Sequence, residues 1–175
     1  MDRRVSELMN MLKNPNFNDF FKAGELIRDI KRDRKLRDKE KILLQHFRKI
    51  TSEIAKNPSN FFEWSSDQML RNAFVVSGHL VLNGLKTTQI RKVLSLASKI
   101  NSKLKLKKGE IVDVAPDIAK LRFILAYSTA RNEEVRPLME ILDKILPVVN
   151  KNNFDKFYEF LQAIVAYHRF SGGAD

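Results

Sequence analysis

Apolar residues recur at helical spacing along nearly all of this chain, and that period most narrows what it can fold into. Ile90, Val93, Ala97, Ile100 and Leu104 step by 3, 4, 3 and 4. Val135, Leu138, Leu142, Ile145 and Val149 repeat the step, as do Phe154, Phe157, Leu161, Ile164 and His168. Strand-like alternation is confined to short pieces such as Leu104 to Lys107. At 175 residues and 43% hydrophobic content the chain can bury one core. The expected fold is all-α: a compact helical bundle of about five core helices with an appended N-terminal helical segment.

Punctuation refines that reading. Asn57-Pro58-Ser59-Asn60 marks a seam, which divides residues 1–56, a helical extension, from residues 61–173, the bundle core. The extension reads as helices over roughly 3–13, 19–31 and 35–55. Thr87 or Thr88 is expected to cap the helix that opens near Gln89, and Lys107-Lys108-Gly109 to end it. Pro116 and Asp117 suit a first turn, and Asn153 is expected to cap the last helix, which Gly172-Gly173 stops. Phe61, Phe62, Trp64, Phe154, Phe157, Tyr158, Phe160, Tyr167 and Phe170 are too many rings for one small bundle to hide, so some are expected at a contact surface.

Charge locates the function. The chain carries 32 Lys and Arg against 21 Asp and Glu, a formal net charge of +11. Between Asp67 and Glu110 there is no acidic residue, yet Arg71, Lys86, Arg91, Lys92, Lys99, Lys103, Lys105, Lys107 and Lys108 all lie there. Outside that stretch the charges nearly balance. Such an excess points to a polyanion-binding face. On the helix near 88–104, Arg91, Ser95, Lys99 and Ser102 line the side opposite the apolar stripe, with Lys92, Lys99 and Lys103 in an adjoining row. Cations alternating with hydroxyls suit phosphodiester oxygens. On the next helix Lys120, Ile124, Tyr127 and Arg131 share a row, a ring flanked by two cations. The eight cations of Arg28–Lys41 are interleaved with Asp29, Asp33, Asp38 and Glu40, and read as a salt-bridged, solvated face, with a supporting role in RNA or subunit contact as the alternative.

Other chemistry finds little support. There is no cysteine, which removes disulfides and thiolate sites. His46, His79 and His168 are scattered, and His168 falls on an apolar stripe, where a hydrogen-bonded core or rim histidine is expected. Glu110, Asp113 and Asp117 are the one set that suggests a hard cation, and their place at a helix start reads as capping instead. No phosphate-loop or nucleophile-elbow motif occurs, so neither an enzyme nor a cofactor is expected. No leader or membrane-length apolar run is present, and the expected location is the cytoplasm.

Three ordered blocks give a resemblance. Thr87-Thr88-Gln89-Ile90-Arg91-Lys92, then Leu121-Arg122-Phe123-Ile124-Leu125-Ala126-Tyr127-Ser128-Thr129-Ala130-Arg131, then Phe154 to Gly173, together resemble the small helical subunit of type III-A CRISPR effector complexes, the Csm small subunit. The type III-B small subunit shares the helical plan. The resemblance implies a non-catalytic protein present in several copies, associating with itself and with other effector subunits. It implies that these copies run along the crRNA–target RNA duplex and hold the target strand by its phosphates. Carried onto this chain it marks Arg91 with Lys92, Arg122, Arg131 and Arg169; residues 1–56 lie outside it, and Gln162 stands where the family tends to have glutamate. With the bottom-up positions, the expected RNA-binding set is Lys86, Arg91, Lys92, Lys99, Lys103, Lys120, Arg122, Arg131 and Arg169. The alternative is an assembly adaptor whose basic face meets an acidic partner.

Overall fold

A computed structural model describes residues 2–107 and 112–175. It holds eight α-helices and no strand among them: α1 (Arg3–Lys13), α2 (Phe20–Arg32), α3 (Arg37–Ile54), α4 (Ser66–Leu82), α5 (Thr87–Leu106), α6 (Ala115–Arg131), α7 (Arg136–Ile145) and α8 (Phe154–Phe170). The all-α expectation holds. The first three helices fall within two residues of the expected spans, and the starts of α1 and α2 are set by caps close in sequence. Asp2 accepts from the Arg4 amide at 2.9 Å to open α1, and the Asp19 carboxylate accepts from the Lys22 amide at 3.2 Å to open α2. At α4, Ser65 and Gln68 cap each other's backbone amides at 3.2 and 3.0 Å.

Two cores share one wall. Met69, Ala73, Val76 and Leu80 on one side of α4 join α5, α6, α7 and α8 in the first core. Phe74, Val75, Val81 and Leu82 on its other side close over α1, α2 and α3, with Leu8, Ile27, Leu43 and Phe47. α4 is therefore buried on every side from Asn72 to Leu82. Gly78 lets α3 come close: a Cβ there would sit 2.5 Å from the fully buried Phe47 ring. Gly24 does the same for α2 against Phe170 of α8.

Two expectations about side chains need correction. None of the rings named for exposure is exposed; Phe61, Phe154, Phe157 and Phe160 are fully buried and the others partly so. Edge-on stacking makes this possible, with Phe61 against Phe62, Trp64 and Phe160 at 5.1–5.6 Å. The exposed rings are Phe21, Phe123 and Tyr127. The salt-bridged ladder over Arg28–Lys41 is also sparse. Arg28 reaches Glu25 at 3.5 Å and Lys41 reaches Asp38 at 3.8 Å, whereas Asp33 turns to Arg4 on α1 at 2.7 Å.

Candidate nucleic-acid interface

α5 is positioned at its first turn. The threonines do not cap it. Lys86 occupies the cap position and its amide donates to the Gln89 side chain at 3.2 Å. Thr87 is instead the first helical residue and is fully buried. Its amide, which no helical carbonyl can reach, donates to the Ala174 carbonyl at 2.7 Å. Its hydroxyl meets Nδ1 of His168 at 3.2 Å, while His168 Nε2 lies 2.9 Å from the Leu85 carbonyl. Burial pushes the His168 pKa down to about 4, so the ring is neutral at pH 7. Those partners fix one tautomer: Nε2–H donates to Leu85, and Nδ1 accepts from Thr87. The core histidine expected from the sequence thus ties the end of α8 to the start of α5.

From there Ile90, Val93, Ala97 and Ile100 point inward and are buried. Arg91, Lys92, Ser95, Lys99, Ser102 and Lys105 are exposed on the other side. At about 1.5 Å per residue, 20 residues make a face about 30 Å long. Between α5 and α6 a groove of about 230 Å³ is lined by Lys99, Lys103, Asp117, Lys120, Leu121 and Ile124, among others.

The nine expected residues divide into three groups. Lys86, Arg91, Lys92, Lys99, Lys120 and Arg169 are exposed and make no ion pair among the described residues. Arg131 is exposed beside Tyr127: its Nη1 donates to the phenol oxygen at 3.3 Å, and its guanidinium carbon lies 5.7 Å from the ring centroid. Lys103 and Arg122 are occupied by carboxylates from neighbouring helices, Asp117 at 2.7 Å and Asp143 at 2.9 Å. Those two pairs hold α6 to α5 and to α7. Lys105, absent from the expected set, is as open as the first group.

The wider acid-free stretch is not all one face. Arg71 is half-buried under the N-terminal helices, where its Nη2 donates to the Leu12 carbonyl at 3.3 Å and burial lowers its pKa. Asp113 accepts from the Ala115 amide at 2.9 Å, a capping role, and Asp117 is engaged by Lys103. Lys108, Gly109 and Glu110 lie outside the described residues. Asn153 does open α8, but its side-chain oxygen accepts from the Asn150 amide at 2.7 Å rather than from α8.

Comparison with known proteins decides the family. Residues 63–174, well over half of the chain, match the protein-family profile described as "Csm2 Type III-A". The chain belongs to this Csm2 family. It is similar to the "CRISPR system Cms protein Csm2" of Streptococcus thermophilus, at 33% identity over 94 residues, which are 52% of this chain and 76% of the relative. As a Csm2 protein it is a subunit of a type III-A CRISPR complex, and so works beside other subunits. No helix among the described residues is long and apolar enough to cross a membrane.

Proposed function

We propose that this Csm2 protein is a non-catalytic subunit that holds the crRNA–target RNA backbone on the outer face of α5, without sequence specificity, and that copies of it associate within the complex. One observation carries the reading: Arg91, Lys92 and Lys99 stand exposed opposite the buried stripe and make no ion pair among the described residues, with Ser95 and Ser102 on the same side. Guanidinium, ammonium and hydroxyl groups each reach phosphate oxygens and read no base, so base pairing is left to carry the sequence. Lys86 and Arg169 lengthen the face at the start of α5, Lys120 widens it across the groove, and Arg131 adds an exposed cation at the end of α6. The groups that chemistry would need have other duties. Burial holds His79 and His168 at a pKa of about 4, and Asp113 and Asp117 serve a helix start and Lys103.

A second reading, the assembly adaptor, draws on α6. Phe123 is 69% exposed and Tyr127 57%, in a row with Ala119, Ala126 and Ala130 on its outer side. An apolar helix face open to water fits a protein contact. It supports the self-association in the proposal and does not compete with α5 for the same side chains.

The test is replacement of Arg91, Lys92 and Lys99 by alanine, read by fluorescence anisotropy on a generic single-stranded RNA across a salt series. For every phosphate no longer neutralised, the log–log salt slope should become shallower by about 0.7, and affinity should fall by roughly an order of magnitude or more. An unchanged slope, or strong preference for one sequence in the parent protein, overturns the reading.

A further inference from the structure

The N-terminal helices lie outside the family match, and they carry a second group of cations that make no ion pair among the described residues. α2 ends at Arg32 and a short 3-10 turn, Arg34–Leu36, leads into α3. Asp33 is the carboxylate at the centre of this cationic run, and the fold turns it away. One of its oxygens accepts from Arg4 of α1 at 2.7 Å; the other accepts from the Lys35 amide at 3.1 Å. Leu36 is buried and its amide donates to the Asp33 carbonyl at 2.9 Å, so the turn is pinned from beneath. What remains outside is Arg32, Arg34, Lys35 and Arg37, all exposed and none in an ion pair among the described residues. A fixed turn presents these groups without the ordering cost that a flexible basic tail would bear.

The same end of α2 is packed where α5 begins. Lys31 donates to the Val81 carbonyl at the end of α4 at 2.7 Å, and burial lowers its pKa. The Arg28 side chain lies against Gly172, with its guanidinium 5.9 Å from the Phe170 ring of α8. His168 of α8 in turn holds Leu85 and Thr87. The ends of α2, α4 and α8 and the start of α5 thus form one corner, with Arg32, Lys86 and Arg169 exposed around it.

We infer that the α2–α3 turn is a second binding site for RNA phosphates, which carries a strand from the outer face of α5 onto the N-terminal helices. Three of its four cations are arginines, whose planar forks grip phosphate oxygens two at a time. The choice of RNA over another polyanion rests on the function proposed above.

The experiment uses the full chain with Arg32, Arg34, Lys35 and Arg37 replaced by alanine, beside the α5 variant and a combination of both. All four positions are exposed, so far-UV circular dichroism and the melting curve should match the parent; the R34A/K35A pair serves if the quadruple variant does not fold. On labelled single-stranded RNA of about 30 nucleotides, the turn variant should lose roughly tenfold in affinity and flatten the salt slope by about 2, with a larger loss in the combination. If the turn variant binds like the parent while the α5 variant does not, the second site is overturned and the proposed function stands. If only the turn variant loses binding, the turn binds RNA by itself, the α5 face is excluded, and the path from α5 onto the N-terminal helices is overturned. Unchanged RNA affinity with lost binding to polyglutamate makes the turn a dock for an acidic protein and overturns the inference. A parent chain that binds no RNA at about 50 mM salt overturns both, since counterion release is greatest there.

Discussion

Between Asp67 and Glu110 the chain runs through the rest of α4 and then α5, and carboxylates are absent from the two parts on different grounds. In α4 every residue from Asn72 to Leu82 is buried between two cores, so a carboxylate there would have to leave water. In α5 only one side is buried. The outer positions, Arg91, Lys92, Ser95, Lys99 and Ser102, are open to solvent, where an aspartate or glutamate would fold as well as a serine. Packing explains the first absence and leaves the second to be explained by what the face must meet. A stretch that reads as uniform in the sequence is therefore half core and half surface. Substitutions in α4 should act on stability, and substitutions on the outside of α5 on charge alone.

The largest effect should come from Phe74→Ala. The Phe74 ring is fully buried and packs edge-on against Phe17 and Tyr167, each at 5.5 Å. Its loss leaves a cavity in the wall between the N-terminal helices and α8, at a cost of about 3–5 kcal/mol. Urea unfolding should show the midpoint fall accordingly. A loss below about 1 kcal/mol would mean that the second core does not support the fold, and that α4 is no more constrained than α5.

Acid should act next, again through buried groups. Burial holds His79 and His168 at a pKa of about 4 when folded, against an ordinary value of 6.5. The unfolded chain therefore binds protons that the folded chain refuses. Stability is complete above pH 6.5 and falls as the pH drops towards 4, by roughly 3 kcal/mol for each ring. The carboxylates of Asp2, Asp33 and Glu133, lowered chiefly by Arg4, Arg4 and Arg136, add their losses only below the ordinary carboxylate range. Urea midpoints at pH 7, 5.5 and 4.5 separate the windows. Replacing His168 or His79 by glutamine should flatten the drop, and a midpoint unmoved to pH 4.5 would show that neither ring is held neutral.

How much of this is legible in the sequence follows the same division. Helices with a clear stripe and a polar opposite face, such as α5, can be read directly, and so can the spans of α1 and α2, whose caps are a few residues away. α4 cannot be described in the same way. It is apolar on two sides, so its sequence has no face to point with, and its role as the wall between two cores depends on residues far along the chain. Pairing over distance is equally hidden. Local spacing offers Asp33 to its neighbours, but Arg4 takes it; Lys103 and Arg122 look free along the sequence, but Asp117 and Asp143 meet them once α6 and α7 are packed. Thr87 reads as a cap because nothing nearby announces His168, which is 81 residues further on.

That last pair gives the smallest effect and the finest test of the contrast. Thr87→Val keeps the shape of the side chain and removes the hydroxyl that serves His168 Nδ1, leaving a buried acceptor without a donor. The cost should be about 1–2 kcal/mol. Thr87 carries no charge, so the salt slope for RNA should stay at the parent value. Arg91, Lys92 and Lys99, replaced together, should do the reverse: they lie on the same helix, shift stability by no more than about 0.5 kcal/mol because all three are exposed, and flatten the slope. One helix would then yield two separable readouts, its inner side and first turn governing folding and its outer side governing binding. A Thr87→Val protein as stable as its parent would show that the start of α5 is not held by His168. Lys86 and Arg169 would then lose the fixed corner from which they extend the basic face.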